Sequence, residues 1–258
     1  MGIVNLTPDS FSDGGRFERL DLAVNRARQM IEEGVDLIDV GAESTRPGAV
    51  EVSAEEEAAR LLPFLAAMRD ASVPISVDTR KPTVMRLVID AGASMINDVG
   101  GFASAEARHA VADVDCALCI MHMRGEPGTM QHDPHYDDVV GEVTMFLEAR
   151  VAALRGLGVA NDRLLVDPGF GFGKAFENNL ALLRDLAAIV SIGPPVLVGL
   201  SRKEMIGTIT GRSIEDRTAG SVAAAVVAVE RGARVVRVHD VAATVDALHV
   251  WSATRRTL

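Results

Sequence analysis

The sequence predicts a closed (β/α)8 barrel, a single α/β domain spanning residues 1–258. Three observations carry this expectation. A short β-branched run, a turn bearing Gly or Ser, and an amphipathic helical stretch recur eight times. The length of 258 residues suits one such barrel. Polar residues also gather at the C-terminal ends of the apolar runs, the rim on which such barrels build their sites. An open, doubly wound sheet is the alternative, but no G-x-G-x-x-G follows a run, which weakens its dinucleotide-binding form.

The elements follow in order. GIVN (2–5) leads to a helical stretch at 19–33, and DLIDVG (36–41) leads to one at 53–70. Ser53 with Glu56 three residues on forms a capping box, and Glu55 to Glu57 suit the positive end of the helix dipole. Pro63 falls inside that helix and predicts a kink or break there. PISVD (74–78) precedes 82–91, SMIND (94–98) precedes 104–113, and ALCIMH (117–122) precedes 138–157. The last units are RLLVD (163–167) with 177–190, PVLVG (195–199) with 215–231, and RVVRVH (234–239) with 241–253. Gly34, Gly92 and Gly232 lie just past helical stretches, where a left-handed cap is cheapest for glycine.

Composition narrows the function classes. With 48% hydrophobic residues the chain can bury a large core. A net charge of −10 argues against nucleic acid or an anionic membrane as partner, while leaving room for an anionic small molecule in a locally basic pocket. The longest apolar run, Val222 to Val229, is far short of the ~20 residues of a membrane span. MGIVNLTPDS lacks the cationic and apolar regions of a signal peptide, so a cytoplasmic location is expected. Cys116 and Cys119 form a C-x-x-C, but residues three apart on a strand face opposite sides. Two ordinary buried thiols are expected there.

The chemistry should sit at the rim formed by Asn5, Asp39, Asp78, Asn97, His122, Asp167, Ser201, Arg237 and His239. Arg237 and His239 are two apart on a strand and share a face, and Lys203 follows the seventh run. Together they predict an anion site at the corner where barrels often bind phosphate. Asp78, Asn97 and Asp167 could bind Mg²⁺, act as acid and base, or recognise a flat heterocycle with adjacent N–H donors. The residues alone leave those three uses open. Loops 5–17 and 41–52 carry Asp13 and the Thr45-Arg46-Pro47 run, and DPGFGFGK (167–174) sets Phe170 and Phe172 among glycines. Two of the chain's few aromatic residues on that loop suggest a wall for a flat ligand, although simple packing serves Phe170 equally well. His132 and His135 have an H-x-x-H spacing, but Pro134 between them speaks against a helix and so against a metal pair.

The segments NLTPDSFSDGG, DVGAESTRPGA, ISVDT, MINDVGG, MHMRGEPGTMQ, DPGFGFGK, VGLSRK and RVHDV closely resemble the dihydropteroate synthases, in that family's order and over nearly the whole chain. The resemblance implies a transferase of folate biosynthesis that joins a pterin diphosphate to p-aminobenzoate and releases pyrophosphate. It implies Mg²⁺, with Asn5 as a ligand, and a homodimer. Asp78, Asn97, Asp167 and Lys203 would hold the pterin, and Met121 and Gly199 would line its pocket. Arg237 would pack on the ring and lie with His239 near the diphosphate. Thr45, Arg46, Pro47, Gly171, Phe172 and Lys203 would shape the p-aminobenzoate site, with Asp13 entering on its loop. A pterin-binding methyltransferase shares the barrel and the Asp/Asn/Asp set, but the TRPG, DPGFGFGK and SRK segments oppose it. Two departures stand out. The sequence opens in the first strand where family members carry a leader, which puts stability in question, and Glu204 follows Lys203 where a small polar residue is expected.

Overall fold

The structure is a computed structural model that describes residues 1–6, 16–44, 51–125, 130 and 134–255. Asp13, Thr45, Arg46, Pro47 and His132 lie outside the described residues. Among these described residues, eight parallel strands alternate with helices. They are β1 (Gly2–Asn5), β2 (Ile38–Gly41), β3 (Ile75–Asp78), β4 (Met95–Asp98), β5 (Ala117–Met121), β6 (Leu164–Asp167), β7 (Leu197–Val198) and β8 (Val235–Val236). The helices are α1 (Arg16–Glu32), α2 (Ala54–Ala67), α3 (Pro82–Asp90), α4 (Ala105–Val111), α5 (Val139–Arg155), α6 (Phe176–Arg184), α7 (Leu186–Val190), α8 (Glu204–Thr210), α9 (Thr218–Glu230) and α10 (Val241–Arg255).

Strands β1 to β6 form one continuous ladder, and β7 pairs with β8. Parallel bridges Val166–Val196 and Gly2–Val238 join the two sets and close the barrel. Residue parity then sorts every side chain. Ile38, Val40, Val77, Ile96, Leu118, Ile120, Leu164 and Val166 are fully buried in the main hydrophobic cluster under the helices. Each such burial stabilises the fold by roughly 1.5–3 kcal/mol. The alternate residues point inward: Met95, Cys119 and Leu197 form a second, smaller cluster that fills the barrel interior. Cys116 belongs to the outer cluster and Cys119 to the inner one, so the two thiols are buried and free on opposite faces.

Three local expectations needed adjustment. Helix α2 runs unbroken through Pro63, whose ring is exposed while Leu61 and Phe64 beside it are fully buried. Packing on the inner stripe outweighs the hydrogen bond that proline removes, a loss of roughly 3 kcal/mol. The capping box is half formed: Ser53 Oγ accepts from the Glu56 amide at 3.2 Å, but the Glu56 carboxylate pairs forward with Arg60. The stretch 177–190 is divided at Asp185 into α6 and α7, and α8 is an unexpected short helix directly after Lys203. Gly34, Gly92 and Gly232 do take positive φ values, as their positions after helices predict.

Candidate active site

The C-terminal mouth of the barrel opens into a cavity of about 480 Å³. Strand register builds its floor. Asn5 is level with Gly41, Gly41 with Asp78, and Asp78 with Asn97, while Met121 is level with Asp167. Because inward residues recur every second position, Asp39 and Ser76 lie one layer deeper, level with each other.

Arg237 crosses this floor. Its Nε donates to Asp39 Oδ2 at 2.6 Å and its Nη2 to Asp78 Oδ2 at 3.1 Å. Ser76 Oγ donates to Asp39 Oδ1 at 2.6 Å, and Asn97 Nδ2 reaches Asp39 Oδ2 at 3.4 Å. The buried Asn97 Oδ1 has no partner among the described residues. Asn97 therefore offers an unused acceptor beside the carboxylates.

Burial raises the pKa values of the acids. It pushes Asp78 upward against the pull of Arg237, and lifts Asp167 to about 6 although the Gly169 amide donates to its Oδ1 at 2.7 Å. Arg237 behaves oppositely: burial works against its charge, but Asp39 and Asp78 outweigh it and raise the guanidinium further.

The basic corner differs from its sequence-based picture. Arg237, His239 and Lys203 do converge on one cavity. Two carboxylates already match the Arg237 charge, however, and His239 is neutral: burial and the nearby Arg237 push it down to about 4, and its Nδ1 lies 3.0 Å from Ser201 Oγ. Of these three groups, Lys203 is the cation with no carboxylate at salt-bridge range among the described residues, lowered to about 8 by burial and by Arg237. Its Nζ sits 4.2 Å from the centre of the Phe172 ring. Arg202, in the left-handed region at φ 57°, turns the chain before it. That strained residue is held by Asp240 through two bonds of 2.6 and 3.1 Å, and by Ser221 Oγ at 2.9 Å on its amide.

The glycine-rich loop after β6 forms the remaining wall. Gly169 takes φ +69°, and a Cβ there would fall 1.9 Å from the His122 carbonyl oxygen. Only glycine fits. Asn179 Oδ1 accepts from the Gly171 amide at 2.7 Å, and its Nδ2 donates to the Lys174 and Ala175 carbonyls at 3.0 and 2.8 Å. Phe170 is 1% exposed yet borders the cavity, so it packs and lines at once.

A family profile described as pterin binding enzyme matches residues 1–239. The dihydropteroate synthase of Haemophilus influenzae is 46% identical over 98% of this chain and 93% of its own length; that of Escherichia coli is 48% identical over 98% and 90%. The chain belongs to the dihydropteroate synthase family. Among solved synthases, the Xanthomonas albilineans enzyme with 4-aminobenzoic acid superposes with a TM-score of 0.94 at 52% identity, covering 100% of this chain and 93% of that one. The Burkholderia cenocepacia synthase complexed with 7,8-dihydropteroate gives 0.89 at 52%, covering 99% and 90%.

Of the residues that the sequence nominated, Asn5, Asp78, Asn97, Met121, Asp167, Phe172, Gly199, Lys203, Arg237 and His239 share the one cavity. Gly171 stands between the lining residues Phe170 and Phe172, with φ +76°, and a Cβ there would meet the Lys203 side chain at 3.2 Å. Glu204 also borders the cavity, at the start of α8. His135 does not join the site and is exposed beside Asp137. Two contributors had no assigned role in the sequence. Asp39, expected among the rim residues, instead lies one layer below them, level with Ser76, and nothing linear pairs it with Arg237. Lys174 looked like the end of a loop motif, yet it is 3% exposed.

Proposed function

We propose that this cavity performs the synthase reaction through the residues below: 6-hydroxymethyl-7,8-dihydropterin diphosphate and p-aminobenzoate give 7,8-dihydropteroate and pyrophosphate. The carrying observation is that Asp78, Asn97 and Asp167 face the same space as Lys203, Arg237 and His239. Acceptors for a ring with adjacent N–H groups thus stand beside donors for its phosphorylated tail.

The residues divide the work. Asp167 accepts the paired N–H groups of the pterin edge, a bidentate geometry that also keeps a buried carboxylate ionised. The free Asn97 Oδ1 takes a further ring N–H. Arg237, pinned along its N–H edge by Asp39 and Asp78, has its flat face left for stacking on the ring. Lys203 supplies a mobile positive charge, and neutral His239 donates a hydrogen bond toward the diphosphate. The C–O bond to the diphosphate breaks with both electrons leaving on oxygen, and the ring stabilises the positive CH₂ centre. The aniline nitrogen then forms the C–N bond and loses its proton. Donors fixed in a buried site stabilise such departing charge far better than water does. Thr45, Arg46, Pro47, Gly171 and Phe172 complete the acceptor site in this reading, with Asp13 supporting the developing cation.

Mg²⁺ fits the site as a companion of the diphosphate. Asn5, which lines the mouth, carries one amide oxygen, and no group of three His, Cys, Asp or Glu among the described residues could cage a metal. A single protein oxygen suits a cation that keeps most of its water and binds through phosphate. Bound there, it would neutralise charge on the leaving group.

A cytoplasmic homodimer is the form we propose. Val227 on α9 and Val250 on α10 are exposed on neighbouring helices, and free thiols suit a reducing compartment. No helix among the described residues is long and apolar enough to cross a membrane.

The test is pyrophosphate release from the pterin diphosphate with Mg²⁺, run with and without p-aminobenzoate. Acceptor-dependent release with formation of dihydropteroate is expected. Methyl transfer from a folate without pyrophosphate would replace this reading with a methyltransferase.

A further inference from the structure

Lys174 is a buried cation that the reaction above does not use. Its Nζ donates to the Gly169 and Phe172 carbonyls, both at 2.9 Å, and lies 2.9 Å from His122 Nδ1. A fourth, longer contact of 3.3 Å reaches the His122 carbonyl. An ammonium has three N–H donors, and three acceptors at equal distance form a complete tripod. His122 Nδ1 must then carry its lone pair, which agrees with a ring that burial and the adjacent Lys174 push down to about 3. The same burial lowers Lys174 to about 7, against the pull of Asp167, while Lys203 and Arg124 add repulsion. Three aimed acceptors favour the protonated form in return.

The three partners define what the tripod holds. His122 follows β5, whereas Gly169 and Phe172 belong to the loop after β6. The Gly169 amide also ties Asp167 Oδ1, and the Phe172 ring faces Lys203 Nζ. Tyr136 Oη braces the far end through the Gly173 carbonyl at 2.8 Å. The Asp167 end of the loop has its own anchor in a strand, but the Phe172 carbonyl is held by Lys174.

We propose that Lys174 is the positioning residue for the acceptor half of the site, setting the place of Phe172 relative to Lys203 so that p-aminobenzoate affinity depends on it. This rests on the synthase reading of the cavity. Lys174 touches neither substrate; it acts through the Phe172 backbone.

The experiment compares Lys174→Met and Lys174→Gln with wild type by pyrophosphate release, varying each substrate, alongside calorimetric binding of 6-hydroxymethylpterin and thermal melting. In Lys174→Met the KM for p-aminobenzoate should rise at least tenfold, with pterin affinity changed less than threefold. Lys174→Gln, which keeps two N–H donors, should recover part of that loss. An unchanged acceptor KM, or equal losses for both substrates, would overturn the proposal. If Lys174→Met does not fold, Lys174→Gln decides by the same split. Absence of acceptor-dependent turnover in wild type would instead sink the synthase reading, and the two failures are told apart by that control.

Discussion

The floor and the wall of the cavity are held by different means. Floor residues Asn5, Asp78, Asn97 and Asp167 stand on strands whose parallel register fixes them to one another. Their backbones are anchored by ladder hydrogen bonds and by outward neighbours such as Val4, Val77, Ile96 and Val166 in the main core. The wall residues Phe172 and Lys203 have no such ladder. They depend on side chains that grip backbone, Lys174 and Asn179 on one loop and Ser221 and Arg217 at Arg202 on the other, where Asp240 also holds the Arg202 guanidinium. A floor set by register keeps a rigid heterocycle in place. A wall set by individual bonds can be retuned by single substitutions, so floor and wall should respond differently to mutation.

The largest effect should come from removing a charge that only one region supplies. Asp78→Ala on the floor and Lys203→Ala on the wall should each lower turnover at least tenfold in a pyrophosphate-release assay. Loss of one preorganised electrostatic contact at a reacting centre typically costs about 10²–10³ in rate. The comparison sharpens in the binding data. Asp78→Ala should weaken pterin binding as well, whereas Lys203→Ala should chiefly slow release of the diphosphate. Wild-type rates in either variant would remove that residue from the mechanism.

Asp39→Asn comes next. It keeps the shape that meets Ser76 and Asn97 but removes the charge beneath Arg237. A hydrogen bond to a charged group contributes about 1.5–3 kcal/mol. Kcat/KM for the pterin diphosphate should therefore fall roughly ten- to 150-fold, with the KM for p-aminobenzoate unmoved. Equal loss for both substrates would mean that floor and wall are not separable.

This division also explains what could be read from the sequence. Parity and repetition placed Asp78, Asn97, Asp167 and Arg237 on one rim, because a strand has only two faces and a barrel only two ends. The same logic put Cys116 and Cys119 on opposite faces. Pairing was less legible: that Arg237 is already matched by Asp39 and Asp78 depends on reach across the lumen between residues 198 and 159 positions apart. Loop geometry was least legible. Nothing in DPGFGFGK announces that its lysine turns inward, since the cause is three acceptors assembled from two segments. Helix α8 escaped for a related reason, being shorter than the periodicity on which helix reading relies.

A smaller, graded effect should follow pH. Asp167 titrates near 6 because burial raises it, so at pH 5 it is mostly protonated and has lost an acceptor for the pterin edge. For a single group at that value, pterin affinity should fall about tenfold from pH 7 to pH 5. Calorimetry with 6-hydroxymethylpterin would show it, and Asp167→Asn should bind weakly with a flatter profile. A wild-type profile level over this range would mean that the Asp167 carboxylate does not receive the ring.

The smallest effect is expected from the two thiols, which probe the inner and outer faces of the same strand region. Cys119 sits in the inner cluster with Met95 and Leu197, and burial raises its pKa well above that of a free thiol; burial raises Cys116 as well. Thiolate, not thiol, is the reactive form, so both should resist alkylation in the folded protein and react together on unfolding. Cys116→Ala and Cys119→Ala should leave both KM values unchanged, because neither side chain borders the cavity. Prompt labelling of Cys119 with loss of pterin binding would show that the barrel interior opens, and a floor that opens would no longer be the rigid partner of a tunable wall.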